Sequence, residues 1–463
     1  MSASSKILSR FPFAPTKGQE EACYLLDAFL SNGDSVRQAY ILKGYAGTGK
    51  TTLLSQLVNH VNGYDYVLLA PTGRAAKVMA GYSGKSASTI HREIFIRDKD
   101  AATGQFSFKR KKNTASNTIF IVDESSMISD DAEYGGSSLL ADLITYVFSK
   151  KGNKIIFTGD PAQLPPVGKK QSPALDPSYL AVYYQMHVVD YELTEVVRQD
   201  YNSGILFNAT RLRQQVNGKG FDFKFITRGY RDLYRITPDK IEDGLRYAID
   251  KFGPDDNIVI CRSNKAAVNY NKYIRQAIQF REEEVEAGDL LMVVKNNYVA
   301  LPEDHKADFI ANGDFVEVRK IRKFIEMHGY RFALLELHLK DYPEQPPFES
   351  LVILDVLHSN APALSGDEYR KLYDSVSEDY MDLPKRKRAM YIKNDKYLNA
   401  LQVKYAYALT CHKAQGGQWG AVFLDQGFLQ EEMINEEYIR WLYTAVTRAG
   451  KELYLLNFDD RFF

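Results

Sequence analysis

Short apolar runs recur along the first 160 residues: Tyr40–Leu42, Tyr66–Ala70 (YVLLA), Thr118–Val122 (TIFIV) and Lys154–Thr158 (KIIFT). Each has the length of a strand and none alternates apolar with polar, so each predicts a strand covered on both faces. The stretches between them have helical spacing. Thr16–Leu30 (TKGQEEACYLLDAFL) reads as an amphipathic helix, with Thr16 as N-cap and Gln19 at capping-box distance. Thr51–His60 reads as a second helix and a third begins at Ala75. Buried strands separated by helices predict an α/β domain with a parallel sheet, whose ligands bind at the strands' C-terminal ends. Glu93–Asn117 breaks this rhythm. Phe106-Ser107-Phe108-Lys109-Arg110 alternates in type after the turn-like Ala102-Thr103-Gly104, which predicts a small inserted β-hairpin.

After Val196 the α/β pattern restarts, with a helix expected over Ile241–Phe252, a strand at Asn257–Cys261 and a helix over Ala266–Phe280. From about Arg281 to Asn399 short β-like runs replace it: Leu290–Val294, Phe315–Val318, Phe332–Leu339 and Leu351–Leu354, followed by a more polar, helical end. Leu401–Thr410 and Ala421–Leu424 return to buried strands, Glu436–Thr447 to a helix and Glu452–Leu456 to a last strand. The second α/β domain is therefore discontinuous and encloses a β-rich insertion. The run Lys385-Arg386-Lys387-Arg388 reads first as a solvated charge run and second as a DNA contact.

Composition narrows the class. The 463 residues are too many for one core. Hydrophobic residues make up 45% and charged residues 25%, a globular balance. The formal net charge is zero, so any nucleic-acid contact must come from a local groove and not from a global basic field. Cys23, Cys261 and Cys411 are far apart and predict neither a zinc site nor a disulfide framework. No apolar run approaches the roughly eighteen residues of a membrane span, and no signal peptide opens the chain, so a cytoplasmic protein is the simplest expectation.

The chemistry is concentrated in motifs at strand ends. Gly44-Tyr45-Ala46-Gly47-Thr48-Gly49-Lys50-Thr51 fits G-x-x-x-x-G-K-[ST] between an apolar strand and a helix, the setting that a phosphate-binding P-loop needs. Gly47 and Gly49 let the backbone curl close to phosphate, Lys50 reaches the terminal phosphates, and the Thr51 hydroxyl is a Mg²⁺ ligand of the right kind. Gly44, Ala46, Thr48 and Thr52 complete the expected nucleotide contacts. Gln19, so shortly before the P-loop, reads either as the capping-box partner of Thr16 or as an amide that recognises adenine. Asp123-Glu124 closes the TIFIV strand. Asp123 suits the metal shell and Glu124 the orientation or deprotonation of the attacking water. Gln163, after the Gly159-Asp160 turn, suits sensing of the γ-phosphate. Arg198 and Arg448 are candidate cations for the charge that develops on a transferred phosphoryl group.

The order of these motifs resembles a superfamily 1 helicase, most closely the RecD/Dda-like 5′→3′ DNA helicases. Gln19 resembles the Q-motif and Gly44–Thr51 motif I. Leu69-Ala70-Pro71-Thr72-Gly73-Arg74-Ala75-Ala76 resembles motif Ia and Ser88-Thr89-Ile90-His91 motif Ib. Asp123-Glu124-Ser125-Ser126 resembles motif II, Gly159-Asp160-Pro161-Ala162-Gln163-Leu164 motif III, and Arg198 falls where motif IV is expected. Ala408-Leu409-Thr410-Cys411-His412-Lys413-Ala414-Gln415-Gly416 resembles motif V and Tyr443-Thr444-Ala445-Val446-Thr447-Arg448 motif VI. The likeness spans most of the chain except roughly 285–400.

The resemblance implies two RecA-like domains: 1A over 1–195, interrupted by a 93–117 hairpin (1B), and 2A over 196–284 and 400–463. It implies an SH3-like insertion, 2B, over 285–399. It further implies ATP with Mg²⁺ between 1A and 2A, with Gly416 among the nucleotide contacts. Single-stranded DNA and its junctions with duplex are the implied partner, touched by Pro71, Thr72, Thr89, His91, Thr410 and His412, with Phe106 and Phe108 at a pin. His91 and His412 have structural hydrogen bonding as the alternative, and both phenylalanines have packing as theirs. A monomer working in repair or recombination is the family expectation. The rival functions are an RNA helicase of the same superfamily, a nucleotide-gated single-strand clamp that does not unwind, and a P-loop switch with no nucleic acid.

Overall fold

The computed structural model describes residues 7–33, 37–60, 63–99, 106–134, 137–197, 202–216, 222–302, 305, 307 and 309–463. The chain divides into two units. One comprises Met1–Ile94, Arg110–Thr237 and Ala414–Phe463; the other comprises Phe95–Lys109 and Pro238–Lys413.

In the first unit, six strands lie parallel in the order His187–Leu193, Gln38–Gly44, Lys154–Gly159, Thr118–Val122, Asp65–Ala70 and Ser88–Thr89. Thr118–Val122 and Lys154–Gly159 are buried at every position, which accounts for their uninterrupted apolar spelling. Lys154 is buried too. Its ammonium donates to the carbonyls of Phe29 (3.1 Å) and Asn32 (2.9 Å) and to Gln38 Oε1 (2.9 Å). It thereby closes the C-terminal end of helix Lys17–Ser31 with a cation, the sign the helix dipole favours there. The edge strand His187–Leu193 escaped the sequence reading because its edge position leaves only Leu193 buried and lets exposed His187, Asp190 and Glu192 interrupt the apolar run. Leu233–Ile236, Ala449–Leu456 and Trp419–Asp425 form a further parallel set in the same unit. Helix Glu436–Val446, capped by Asn435, buries eight residues including Tyr443 and Thr444.

In the second unit, Phe95–Lys99 pairs with Phe106–Arg110 in a two-stranded sheet, while the turn expected at Ala102-Thr103-Gly104 lies outside the described residues. The side chains of Phe106 and Phe108 lie outside the described residues, as does Arg198. A closed barrel follows, built from Leu290–Val293, Phe315–Met327, Tyr330–Leu339, Phe348–Ile353 and Leu401–Tyr405. Two features differ from the sequence reading. Phe315–Met327 runs well past Val318, with register shifts between Val318 and Lys320 and between Ile321 and Lys323, carrying charged residues outward where a local pattern shows no strand. Leu401–Thr410 is two strands. Leu401–Tyr405 closes the barrel against Leu290–Val293 and Phe348–Ile353, whereas Ala408–Thr410 pairs in parallel with Asn257–Cys261. The polar end of the insertion forms helices Gly366–Glu378 and Lys385–Lys393.

The expected helix Ala266–Phe280 is a helix over Asn264–Tyr273 continued by a π-helical turn, Ile274–Ile278. That turn carries Arg275, which forks onto buried Asp289 through two bonds of 2.9 Å. Arg281 (2.6 Å), the Tyr407 hydroxyl (3.1 Å) and the Glu286 N–H (2.7 Å) complete the shell of the carboxylate.

Candidate active site

The P-loop joins strand Gln38–Gly44 to helix Lys50–His60. Gly47 and Gly49 have φ of 75° and 81°, where a side chain is strained. A Cβ at Gly49 would also sit 2.3 Å from Gln19 Nε2. Lys50 Nζ donates to the carbonyls of Gly44 and Tyr45, the latter at 3.2 Å. Gln19 takes the capping role, and its amide nitrogen is committed to the P-loop. Its Oε1 accepts from Thr16 N–H (3.0 Å) in a complete capping box, while its Nε2 donates to the Thr48 carbonyl (3.1 Å). The amide is fully buried, so it ties the first helix to the P-loop.

A cavity of about 180 Å³ opens over the loop. Tyr45, Ala46, Gly47, Gly49, Lys50 and Thr51 line one side, and Asp123, Glu124, Asp160 and Gln163 another. Gln418, Thr447 and Arg448 approach from the C-terminal segment. Lys50, Thr51, Asp123, Glu124, Gln163 and Arg448 therefore meet in one space, across nearly 400 residues of sequence. Gly44, Thr48 and Gln19 brace the loop through hydrogen bonds and Thr52 lies in the first turn of helix Lys50–His60; none of the four lines the cavity. Gly416 does not line it either: at φ 72°, its Cβ position is 2.9 Å from Ala75 Cβ and 3.2 Å from Thr72 Oγ1, so it abuts the helix after strand Asp65–Ala70.

The acidic pair is held asymmetrically. Asp123 accepts from the Tyr82 hydroxyl (2.7 Å) and from the Glu124 N–H (2.9 Å). Glu124 adopts a left-handed φ of 51°, a strained backbone of the kind that clusters at functional sites. Its Oε1 lies 3.9 Å from Arg448 Nη1, and its Oε2 has no partner in the protein. Burial raises its pKa, and the charge of Arg448 opposes that rise. A carboxylate with raised proton affinity and a vacant oxygen suits a base that takes a proton from water. Arg448 is itself buried and held by the carbonyls of Thr444 (3.1 Å) and Gly417 (3.1 Å).

Sequence reasoning missed a tyrosine bridge. The hydroxyl of Tyr443, fully buried, donates to Asp160 Oδ2 (2.5 Å) and accepts from the Ala46 N–H of the P-loop (2.9 Å). Burial raises the Asp160 pKa, against which the charge of Lys50 and the bond from Tyr443 act. Two further bonds stitch the same segments: Leu164 N–H to Thr444 Oγ1 (2.8 Å) and Gln415 Nε2 to the Leu164 carbonyl (2.8 Å). Tyr443 stood in the motif VI spelling, but only its three-dimensional neighbours reveal this task. Tyr82 carries no local signal at all.

The remaining candidates are distributed between the units. In the first, Thr72 Oγ1 caps helix Gly73–Ser83 by accepting from Ala75 N–H (3.2 Å), and Thr89 Oγ1 accepts from Arg92 N–H (3.2 Å). Both hydroxyls retain a proton to donate. Pro71 precedes the first cap and His91 is half-buried. In the second unit, Thr410 ends strand Ala408–Thr410 half-buried, His412 is exposed, and Cys411 between them is buried.

The model of the AAA domain matches residues 16–224 and that of the UvrD-like helicase C-terminal domain matches residues 405–456. The chain is 25% identical to the uncharacterized protein R530 of Acanthamoeba polyphaga mimivirus over 95% of this chain and 98% of that one. It is also 25% identical to the ATP-dependent DNA helicase dda of Enterobacteria phage T4, over 89% and 93%. Among solved structures, a Pif1 helicase at forked double-stranded DNA is 16% identical over 97% and 94%, with a TM-score of 0.48.

Proposed function

We propose that this chain, which belongs with the RecD/Dda-like superfamily 1 helicases, is an ATP-dependent 5′→3′ DNA helicase. The reading rests on the cavity that gathers Lys50, Thr51, Asp123, Glu124, Gln163 and Arg448 over one P-loop. The phage T4 relative, a DNA helicase by name and similar along nearly its whole length, favours DNA as the track over the RNA alternative.

The chain's own groups divide the work of hydrolysis. The P-loop amides and Lys50 hold the β- and γ-phosphates. Glu124 accepts a proton from the attacking water through Oε2, which no protein group occupies. Arg448 meets charge that develops on the γ-phosphoryl, and Gln163 reads its presence. Among the described residues no cluster of three or more His, Cys, Asp or Glu could hold a metal. Thr51 and Asp123 nonetheless supply the hard oxygens with which Mg²⁺, taking most of its shell from phosphate and water, is ordinarily held. When bound there, Mg²⁺ would neutralise charge on the β- and γ-phosphates.

Domains 1A, 1B, 2A and 2B, with the boundaries given above, are the proposed working parts. Thr72, Thr89, His91, Thr410 and His412 would grip the single strand, and Gln19 would recognise adenine through movement of an amide that now holds Thr48. Strand displacement with ATP on matched 5′-tailed and 3′-tailed duplexes tests the reading: the 5′-tailed substrate alone should open. ATPase activity unchanged by single-stranded DNA would refute it in favour of a switch, and stimulation by RNA alone would favour the RNA helicase. No described helix is long and apolar enough to cross a membrane.

A further inference from the structure

A second cavity, of about 240 Å³, adjoins the first and shares Tyr45, Asp160 and Gln163 with it. Its other walls include Lys43, Ser126, Glu192, Arg213 and Arg440. No P-loop residue from Ala46 to Thr51 lines this second space. The volume is several times the roughly 30 Å³ share of one water, and the lining is polar.

Its charges are unevenly satisfied. Both carboxylates are engaged by hydroxyls: Asp160 by Tyr443 (2.5 Å) and Glu192 by Tyr45. Lys43 faces Asp190 at 3.4 Å, and Arg440 is paired with Glu436 at 2.9 Å. Arg213 differs. Its Nη2 donates to the Thr194 carbonyl (2.7 Å) and its guanidinium lies 4.4 Å from the centre of the Tyr45 ring. Among the described residues it pairs with no carboxylate, and its buried Nη1 has no hydrogen-bond partner. Two other lining side chains are in the same position: Ser126 Oγ and Gln163 Oε1 are buried without partners. Buried polar atoms without partners are uncommon, and three around one cavity call for a ligand that brings both acceptors and a donor.

We infer that this cavity holds inorganic phosphate, the product of hydrolysis, after it leaves the nucleotide site past Gln163. Hydrogen phosphate matches the vacancies. Its oxygens accept from Arg213 and from Ser126, and its P–OH donates to Gln163 Oε1. The γ-phosphoryl of bound nucleotide has no such proton, so the site prefers product to substrate. Arg213 supplies the uncommitted positive charge and Tyr45 holds its guanidinium plane in place.

The inference rests on the ATPase reading for its role, but its binding site can be tested without turnover. Inorganic phosphate is titrated into the full-length protein by calorimetry, comparing the wild type with Lys50→Ala, Arg213→Met and Arg213→Lys. A phosphate site should survive Lys50→Ala, weaken about tenfold in Arg213→Met through loss of one charge-assisted hydrogen bond, and recover in part with Arg213→Lys. Nucleotide binding by Arg213→Met verifies that this variant is folded. Phosphate binding that is lost with Lys50 and indifferent to Arg213 would overturn the site, as would no binding to the wild type. In single turnovers followed with a phosphate-sensing fluorophore, Arg213→Met should alter phosphate release and leave the cleavage step unchanged. Equal changes in both would overturn the exit role. A wild type that binds phosphate yet never hydrolyses ATP would refute the helicase reading and the exit role while leaving the site standing.

Discussion

Replacing Tyr443 by Phe removes one oxygen from a fully buried position and disturbs two partners together. Asp160 loses a donor at 2.5 Å, and the Ala46 N–H loses an acceptor at 2.9 Å. A hydrogen bond to a charged group contributes about 1.5–3 kcal/mol and an ordinary one about 1 kcal/mol. The variant should therefore unfold about 2–4 kcal/mol more easily at neutral pH. The loss should depend on pH, with a sign fixed by Asp160. Burial raises the pKa of this carboxyl in the folded protein. Its ionised form therefore costs stability above the folded pKa, and that cost fades as pH falls through it. The Tyr443 hydroxyl favours the ionised form, so its removal raises the pKa further and deepens the cost on the alkaline side. Urea unfolding at about pH 8 and about pH 5.5 should show the larger penalty at the higher pH. The readout is specific, because both tryptophans of the chain, Trp419 and Trp441, lie in the unit that contains Tyr443. A penalty below about 0.5 kcal/mol, within the range of an ordinary surface substitution, or one of equal size at both pH values, would refute the bridge.

Lys50→Ala should lower ATP hydrolysis by about a hundredfold or more, the scale of losing one donor to developing charge; turnover close to that of the wild type in a steady-state assay would dismiss the P-loop assignment. Phe106→Ala combined with Phe108→Ala should reduce strand displacement more than DNA-stimulated ATPase, and equal losses would argue against a pin. Asp289→Asn should destabilise the barrel unit by about 3–5 kcal/mol, since buried Arg275 and half-buried Arg281 would be left beside a neutral amide. Hydrogen exchange of the Leu290–Val293 amides reads this directly, and unchanged protection would show that the cluster does not support the barrel.

What was legible in the chain was what is local. The P-loop, Asp123-Glu124 and Gln163 each stand at the end of a buried strand, and a strand covered on both faces announces itself by an unbroken apolar run. The edge strand His187–Leu193 does not, because its exposed positions carry Asp190 and Glu192. Barrel closure was illegible for a different reason. Leu401–Thr410 is continuous in pattern, and only pairing with Leu290–Val293, more than 100 residues away, cuts it at Tyr405. The break is enforced by Tyr407, whose hydroxyl turns to Asp289 and to the Leu290 N–H (3.0 Å). Tyr443 and Arg213 share that limitation: their partners on the P-loop side come from distant segments, and residue type alone does not indicate which polar atom is left over.

The sequence offers Gln19 as either a capping-box partner or an adenine-recognising amide; in the structure its capping box is complete, and Thr72 and Thr89, read as strand-gripping groups, prove to be caps as well. A hydroxyl has lone pairs that accept and a proton that donates, and an amide has separate ends for each. Gln19 uses its oxygen for Thr16 and its nitrogen for Thr48. Thr72 and Thr89 use lone pairs for their helices and keep a proton that a phosphate oxygen can take. Capping fixes the rotamer, and a fixed rotamer aims the remaining valence at low entropic cost. Such a residue responds differently to its two nearest replacements. Thr72→Ser preserves both the acceptor and the donor, whereas Thr72→Val removes both and should shorten the helix while weakening any grip on a strand. Circular dichroism without DNA reads the helix, and binding of a single strand reads the grip. Single-stranded DNA with neutral methylphosphonate linkages removes the charge and keeps the acceptor, so a grip that rests on hydroxyl donation should outlast the change.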